Sequence, residues 1–208
     1  MHYPVTVLGP GRRVGIWLQG CSIGCPGCIS RDTWDSDGGQ NYAIEDVVAR
    51  CHAYAADGLD GITISGGEPF EQPLSLAALL TALRAWRQDE PRNFDILCYS
   101  GLPLKRLKSA HGDILELLDA VIPEPFKERR PLGPTWQGSN NQPLIPLSPL
   151  GRERYQAYLD GTLPVSKGMQ FSVEDGPIWM IGIPARNDME EISAELAANG
   201  LYLEKKSW

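Results

Sequence analysis

Three cysteines within eight positions, Cys21, Cys25 and Cys28 in the stretch GCSIGCPGCISRDTWD, constrain this chain more than any other feature. Thiols that serve one inorganic centre force the loop carrying them to fold around it. The chain has five cysteines, and Cys51 and Cys98 stand apart from the cluster. The N-terminal residues MHYPVTVLGPGRRV lack the apolar core of a signal peptide, and no run approaches the roughly 18 apolar residues of a membrane span. The expectation is a cytoplasmic chain with reduced thiols, in which clustering means metal or catalysis rather than disulfides. Zinc fits the count poorly, because structural sites close with four ligands, and His52 lies far along on a predicted helix with no second ligand pair beside it. A [4Fe-4S] cubane fits better: three thiolates hold three irons and leave the fourth open to a small molecule, whereas an electron-transfer ferredoxin saturates its cluster with four. With only Cys51 and Cys98 left over, a second cluster has no ligand set.

Strand-like and helix-like periodicities alternate over the first 125 residues, as in parallel βα units. VGIWLQG from Val14 reads as a strand feeding the cysteine loop. A helix over 42–56 follows, then the strand GITISGGEP from Gly61, which ends in a glycine pair. Pro73 opens a second helix, where its missing N–H costs nothing. FDILCYSG from Phe94 is a third strand, and ILELLDAVIPEPF runs from helix into a fourth. Residues 130–149 are proline-rich and irregular. A short helix over 152–159, a strand pair at MQFSV and IWMIGIP, and a helix over 188–199 complete the chain. The formal charge of −7 argues against a broad phosphate-binding face, so nucleic acid is not an expected partner.

CSIGCPGC is a C-x3-C-x2-C motif and resembles the cluster motif of the radical S-adenosylmethionine (SAM) superfamily. The next predicted strand ends in Gly66, Gly67, Glu68 and Pro69, similar to the GGEP motif that binds the SAM amino group in that superfamily. GPGRR at Gly9, TISGGEPF, LCYSG at Leu97, LLDAVIPEPF and WQGSNNQ at Trp136 further resemble the anaerobic ribonucleotide reductase activating enzymes and related small single-cluster proteins, over roughly residues 5 to 147. The resemblance implies Cys21, Cys25 and Cys28 as cluster ligands. It also implies a cofactor site at Gly66, Gly67, Glu68 and Pro69, with Ser100, Ser139 and Asn141 as further SAM contacts and Gly101 beside them. Ser and Asn in a proline-rich loop are equally turn formers. Asp119 is either a turn residue or a ribose contact, and Cys98 either a core thiol or a hydrogen donor or second-cluster ligand. Trp136, Trp179 and Trp208 carry no spacing that separates a partner-facing role from a core one.

The implied fold is α/β. A full (β/α)8 barrel takes about 250 residues, so 208 residues suit an incomplete (βα)5–6 parallel barrel of the radical SAM type. It would be a single domain with a core of about 5–147 and an extension of about 148–208, longer than a minimal activating enzyme needs. The implied activity is reductive cleavage of SAM at the [4Fe-4S] cluster, with the 5'-deoxyadenosyl radical taking hydrogen from a polypeptide. The lateral opening of an incomplete barrel suits a polypeptide that itself seals the site from water. Two substrates compete. One is a glycyl radical enzyme such as the anaerobic reductase; the other is a ribosomal precursor peptide, cross-linked, epimerised or excised with the help of a separate peptide-recognition protein. An electron donor such as flavodoxin or ferredoxin is implied in either case. The alternative from another class is a non-enzymatic Fe-S or zinc-binding module.

Overall fold

Alternating apolar residues on four short segments give two faces to one sheet, and each face buries against a different part of the chain. The computed structural model describes residues 1–208 except 90–92, 135, 165–167, 174–177, 186 and 204–208. Trp208 therefore lies outside the described residues. Strands β1 (His2–Val5), β2 (Arg13–Leu18), β3 (Gly61–Gly66), β4 (Asp95–Tyr99), β5 (Ala120–Ile122) and β6 (Ile145–Pro146) form one sheet in that order. Strands β2 to β5 are parallel, while β1 and β6 pair antiparallel at the two edges. The parallel run expected to hold five or six strands thus holds four. Its edges are closed by a hairpin from the N-terminus and by a two-residue return strand.

Helices α1 (Ile44–Ala55), α2 (Pro73–Asp89), α3 (Leu104–Ala110) and α4 (Gly112–Leu115) lie between the parallel strands. α2 buries Leu76, Leu79, Leu80, Leu83 and Trp86, a stripe at helical spacing. This stripe packs on Val14, Ile16, Ile62, Ile64, Ile96 and Val121 from the same face of the sheet. Cys98 and Cys51 are buried in that core, which makes both of them packing thiols. Burial pushes the Cys51 thiol up to about 12 and holds that of Cys98 well above its ordinary value.

The opposite face carries Arg13, Gly15 and Trp17 on β2, with Gly61, Thr63 and Ser65 beside them on β3. It continues through Asp95 and Leu97 on β4 to Ala120 on β5. Here α5 (Pro149–Leu159) and the hairpin of β7 (Met169–Val173) and β8 (Ile178–Gly182) pack, and α6 (Asp188–Ala198) follows them in the chain. Tyr155 of α5 joins Leu97, Ala120, Ile122, Trp136 and Leu144, while Ile181 of β8 joins Val5 and Leu8. Trp136 and Ile181 are buried. Among the described residues no helix is long and apolar enough to cross a membrane.

Arg13 is fully buried at the start of β2, and each of its five guanidinium N–H groups has an acceptor. Nε donates to Thr63 Oγ1 at 2.6 Å, Nη1 to Pro10 O at 3.2 Å and Asp95 Oδ1 at 3.0 Å, and Nη2 to Ile62 O and Asp95 Oδ2, both at 2.8 Å. Burial alone would lower the Arg13 pKa, but the adjoining Asp95 charge keeps it above its ordinary value. Tyr155 donates its hydroxyl proton to the same carboxylate. Gly61 is required beside this cluster, because a Cβ there would lie 2.1 Å from Arg13 Nη1. Asp95→Ala leaves the guanidinium buried without its counter-charge and should destabilise the protein by about 3–5 kcal/mol. Urea unfolding of the variant beside wild type, both free of cofactor, measures it; Tyr155→Phe should cost about 1 kcal/mol.

Candidate active site

The cysteine loop leaves β2 at Leu18 and returns through a short 3-10 turn, Arg31–Thr33. Two main-chain bonds close its neck, Gly20 N–H to Thr33 O at 2.8 Å and Cys21 N–H to Trp34 O at 3.0 Å. Gln19 reinforces them by donating Nε2 to Asp32 O at 2.9 Å and Asp35 O at 2.6 Å. The end of β3 is laid against this neck: Gly67 N–H donates to Leu18 O at 2.7 Å and Glu68 N–H to Gly20 O at 2.8 Å. No side chain fits at Gly67, where a Cβ would stand 2.1 Å from Gly20 O and 2.9 Å from Thr33 O. The glycine of the GGEP stretch therefore has a direct structural reason: it lets the strand end touch the loop that carries the thiols. Ser22 adds a side-chain tie, donating from both N–H and Oγ to Glu71.

All three loop cysteines are half-buried and free. Burial raises the pKa of Cys25 and of Cys28, while N–H donors oppose the shift: the Phe126 main chain at Cys25, and the Ser30 main chain and the Trp34 side chain at Cys28. N–H groups already turned toward sulfur suit thiolates that carry iron. The charges of Cys28 and Cys21 raise the Cys25 pKa further, so the three sulfurs share one neighbourhood, as thiolates that each take one iron of a single cubane must. The donor set thus fits a [4Fe-4S] cluster.

Glu68 is fully buried beneath the strand ends. Its Oε1 accepts from Phe70 N–H at 3.0 Å and Ser100 Oγ at 2.8 Å, and its Oε2 from Gly101 N–H at 2.7 Å. Burial raises its pKa despite these bonds, and the charge of Glu71 adds to the rise. Pro69 is buried in the 3-10 turn Pro69–Glu71 that Glu68 caps. Ser100 also accepts from Leu102 N–H at 3.0 Å. Glu68, Ser100 and Gly101, singled out from separate stretches, are therefore one cluster that clamps the end of β3 to the end of β4.

Ser139 and Asn141 sit elsewhere, against the segment that follows β5. Ser139 Oγ accepts from Lys127 N–H at 3.1 Å, and Asn141 Nδ2 donates to Pro125 O at 2.9 Å. Asn141 Oδ1 is buried without a protein partner. Asp119 is spent on a turn, accepting from Ile96 N–H at 2.8 Å and Ser148 Oγ at 2.6 Å and pairing with Arg87.

A cavity of about 390 Å³ opens beside the cysteine loop. Gly27, Cys28, Ile29 and Ser30 form its loop side, Trp17, Ser65 and Tyr99 its floor on the sheet, and residues 179–184 the wall opposite. Of the residues singled out from the sequence, Cys28 lines it directly, whereas Glu68, Ser100, Ser139 and Asn141 brace the elements around it. The floor residues carried one readable signal, the period-two alternation that puts Trp17 on the same face as Arg13. Gln142, which also lines the cavity and donates Nε2 to Glu124 O at 2.9 Å, was readable only as the last residue of the WQGSNNQ stretch.

A family model described as a 4Fe-4S single cluster domain matches residues 7–145. The anaerobic ribonucleoside-triphosphate reductase-activating protein of Escherichia coli K12 is 30% identical over 145 residues, covering 68% of this chain and 93% of the relative. The protein of the same description from Enterobacteria phage T4 is 29% identical over 143 residues, covering 68% and 89%. Over a shorter stretch of 71 residues, 32% of this chain and 28% of the relative, the pyruvate formate-lyase 1-activating enzyme of Escherichia coli K12 is 45% identical.

Replacing Glu68 by Gln puts a donor where three donors already converge. The change should lower the melting temperature of the cofactor-free protein by roughly 3–10 °C. A scan of both proteins by near-ultraviolet circular dichroism measures it, and an unchanged melting temperature would show that the carboxylate is not a brace.

Proposed function

This chain belongs to the single-cluster 4Fe-4S family of radical SAM activating enzymes, and from that premise we propose that it activates a glycyl radical enzyme, most nearly an anaerobic ribonucleotide reductase. It is an enzyme, and its cofactors are a [4Fe-4S] cluster and SAM. When bound, these supply reductive cleavage of the sulfonium and the 5'-deoxyadenosyl radical that removes a substrate hydrogen. Cys21, Cys25 and Cys28 hold the cluster in this reading. The close fit of Gly66 and Gly67 against the loop neck brings main-chain groups of the GGEP turn beside the cofactor. Glu68, Ser100 and Gly101 keep those strand ends in place, so that orientation is settled before reaction. Asn141, with its unpartnered Oδ1, is the polar contact we assign to SAM from the 139–142 loop, and Ser139 holds that loop.

The observation that carries this reading is the clasp itself: the thiol loop is closed at its neck, bonded to the GGEP strand end, and opens through Cys28 onto a cavity of about 390 Å³. Its apolar lining from Trp17, Tyr99, Phe126 and Ile181 suits a site that must exclude water from a radical. We read the sheet as the partial barrel of the radical SAM type, in one domain with a core of about 5–147 and an extension of about 148–208. An electron donor of the flavodoxin or ferredoxin kind and cytoplasmic residence belong to the same proposal. One observation favours a precursor-peptide maturase as the second reading: the hairpin that walls the cavity lies beyond the residues matched by the family model.

Anaerobic reconstitution with iron and sulfide, followed by SAM and dithionite, should yield 5'-deoxyadenosine. Cys25→Ala should lose iron and at least 100-fold of that product. Cleavage retained by the variant would defeat the ligand assignment, and none from the loaded wild-type protein would defeat the function.

A further inference from the structure

The cavity wall opposite the cysteine loop is a strand that presents its edge. Four consecutive residues of β8, 179–182, line the cavity together with 183–184 just beyond its end, and a strand lines a space with consecutive residues when its backbone rather than one face of its side chains borders it. Among the described residues β8 pairs with β7 alone, so its second edge carries main-chain N–H and C=O groups with no strand beside them. The hairpin is fixed to the body of the protein. Ile181 is buried with Val5 and Leu8, Trp179 stacks on His2 with centroids 5.6 Å apart, and Gln170 bonds to Pro4 O and Thr6 N–H. The family match ends at residue 145, so this wall is not part of the matched core.

We propose that the free edge of β8 captures the polypeptide substrate as an added strand, with one of its apolar side chains lying against Trp17, Tyr99 and Ile183 and its main chain carried toward Cys28. The proposal rests on the reading of the site as one that acts on a polypeptide, and it adds which segment binds and in what conformation. The edge selects the conformation: an extended chain can pair with it at about 4.8 Å, whereas a helix has already spent its main-chain N–H and C=O groups on its own internal bonds. Main-chain pairing supplies affinity that is largely independent of sequence, and the apolar floor supplies selection at alternate residues. A loop that turns back within a few residues leaves too short an extended run to pair along the edge in this way.

The test uses the full chain, loaded with cluster and SAM, and two displayed random libraries, linear twelve-residue peptides and the same length closed by a disulfide. Linear peptides with apolar residues at alternate positions should be enriched. N-methylation of every second amide in one register should weaken the best synthetic peptide at least tenfold, and in the other register less than threefold, because only every second amide of an added strand faces the edge. Hydrogen exchange at 179–183 should slow when the peptide binds. Enrichment of closed peptides alone, equal effects of the two methylation registers, unchanged exchange at 179–183, or no enrichment at all would overturn the proposal. Formation of 5'-deoxyadenosine without peptide tests the function separately, so the two failures are distinguishable.

Discussion

The ion pair between Arg13 and Asp95 is the constraint on which the rest of the structure depends. A guanidinium taken wholly out of water is tolerable only when its charge is matched and its donors are all used, and both conditions hold here. Its bonds reach the turn at Pro10, the strands β3 and β4, and through the shared carboxylate Tyr155 of α5. Thr63, which accepts from Arg13, passes its own proton to Leu8 O. One side chain thereby fixes the starts of three parallel strands and, through Asp95, seats α5 on the sheet's inner face. Register at this end sets where the other end of each strand emerges.

At that other end a carboxylate plays the converse part. Glu68 gathers donors from Phe70, Ser100 and Gly101, and so joins the end of β3 to the end of β4 beneath the cysteine loop. The loop is held to the same strand end by main-chain bonds that only a glycine at position 67 permits. Two buried polar clusters thus hold the strands, one at each end. The cavity lies at the second of these ends, where Trp17, Ser65 and Tyr99 near the C-terminal ends of β2, β3 and β4 form its floor and residues 179–184 a wall.

Several of these features were legible from residue order. Alternation placed β2 to β5, helical spacing placed α1 and α2, and the proline and glycine positions bounded them, because each depends on neighbours a few residues apart. The edges were not legible: β1 is four residues and β6 two, too short to show a period, and their antiparallel pairing depends on partners elsewhere in the sheet. Glu68 could be singled out by its motif. That its carboxylate would be turned inward onto Ser100, rather than left free toward the cavity, depended on a strand 32 residues away.

The sequence by itself determined the chemistry that this chain can support. Thiol count, thiol spacing and the glycine pair are local properties, and ligand number decides what kind of inorganic centre a loop can hold. Only the tertiary structure decided what surrounds that centre. Whether Arg13 is a surface cation or a buried tie, whether Cys98 faces helices or cavity, and whether residues 179–184 end in solvent or form a wall all depend on which distant residues share a face. Those contacts arise from the collapse of the whole chain on its sheet, and no short window of sequence encodes them.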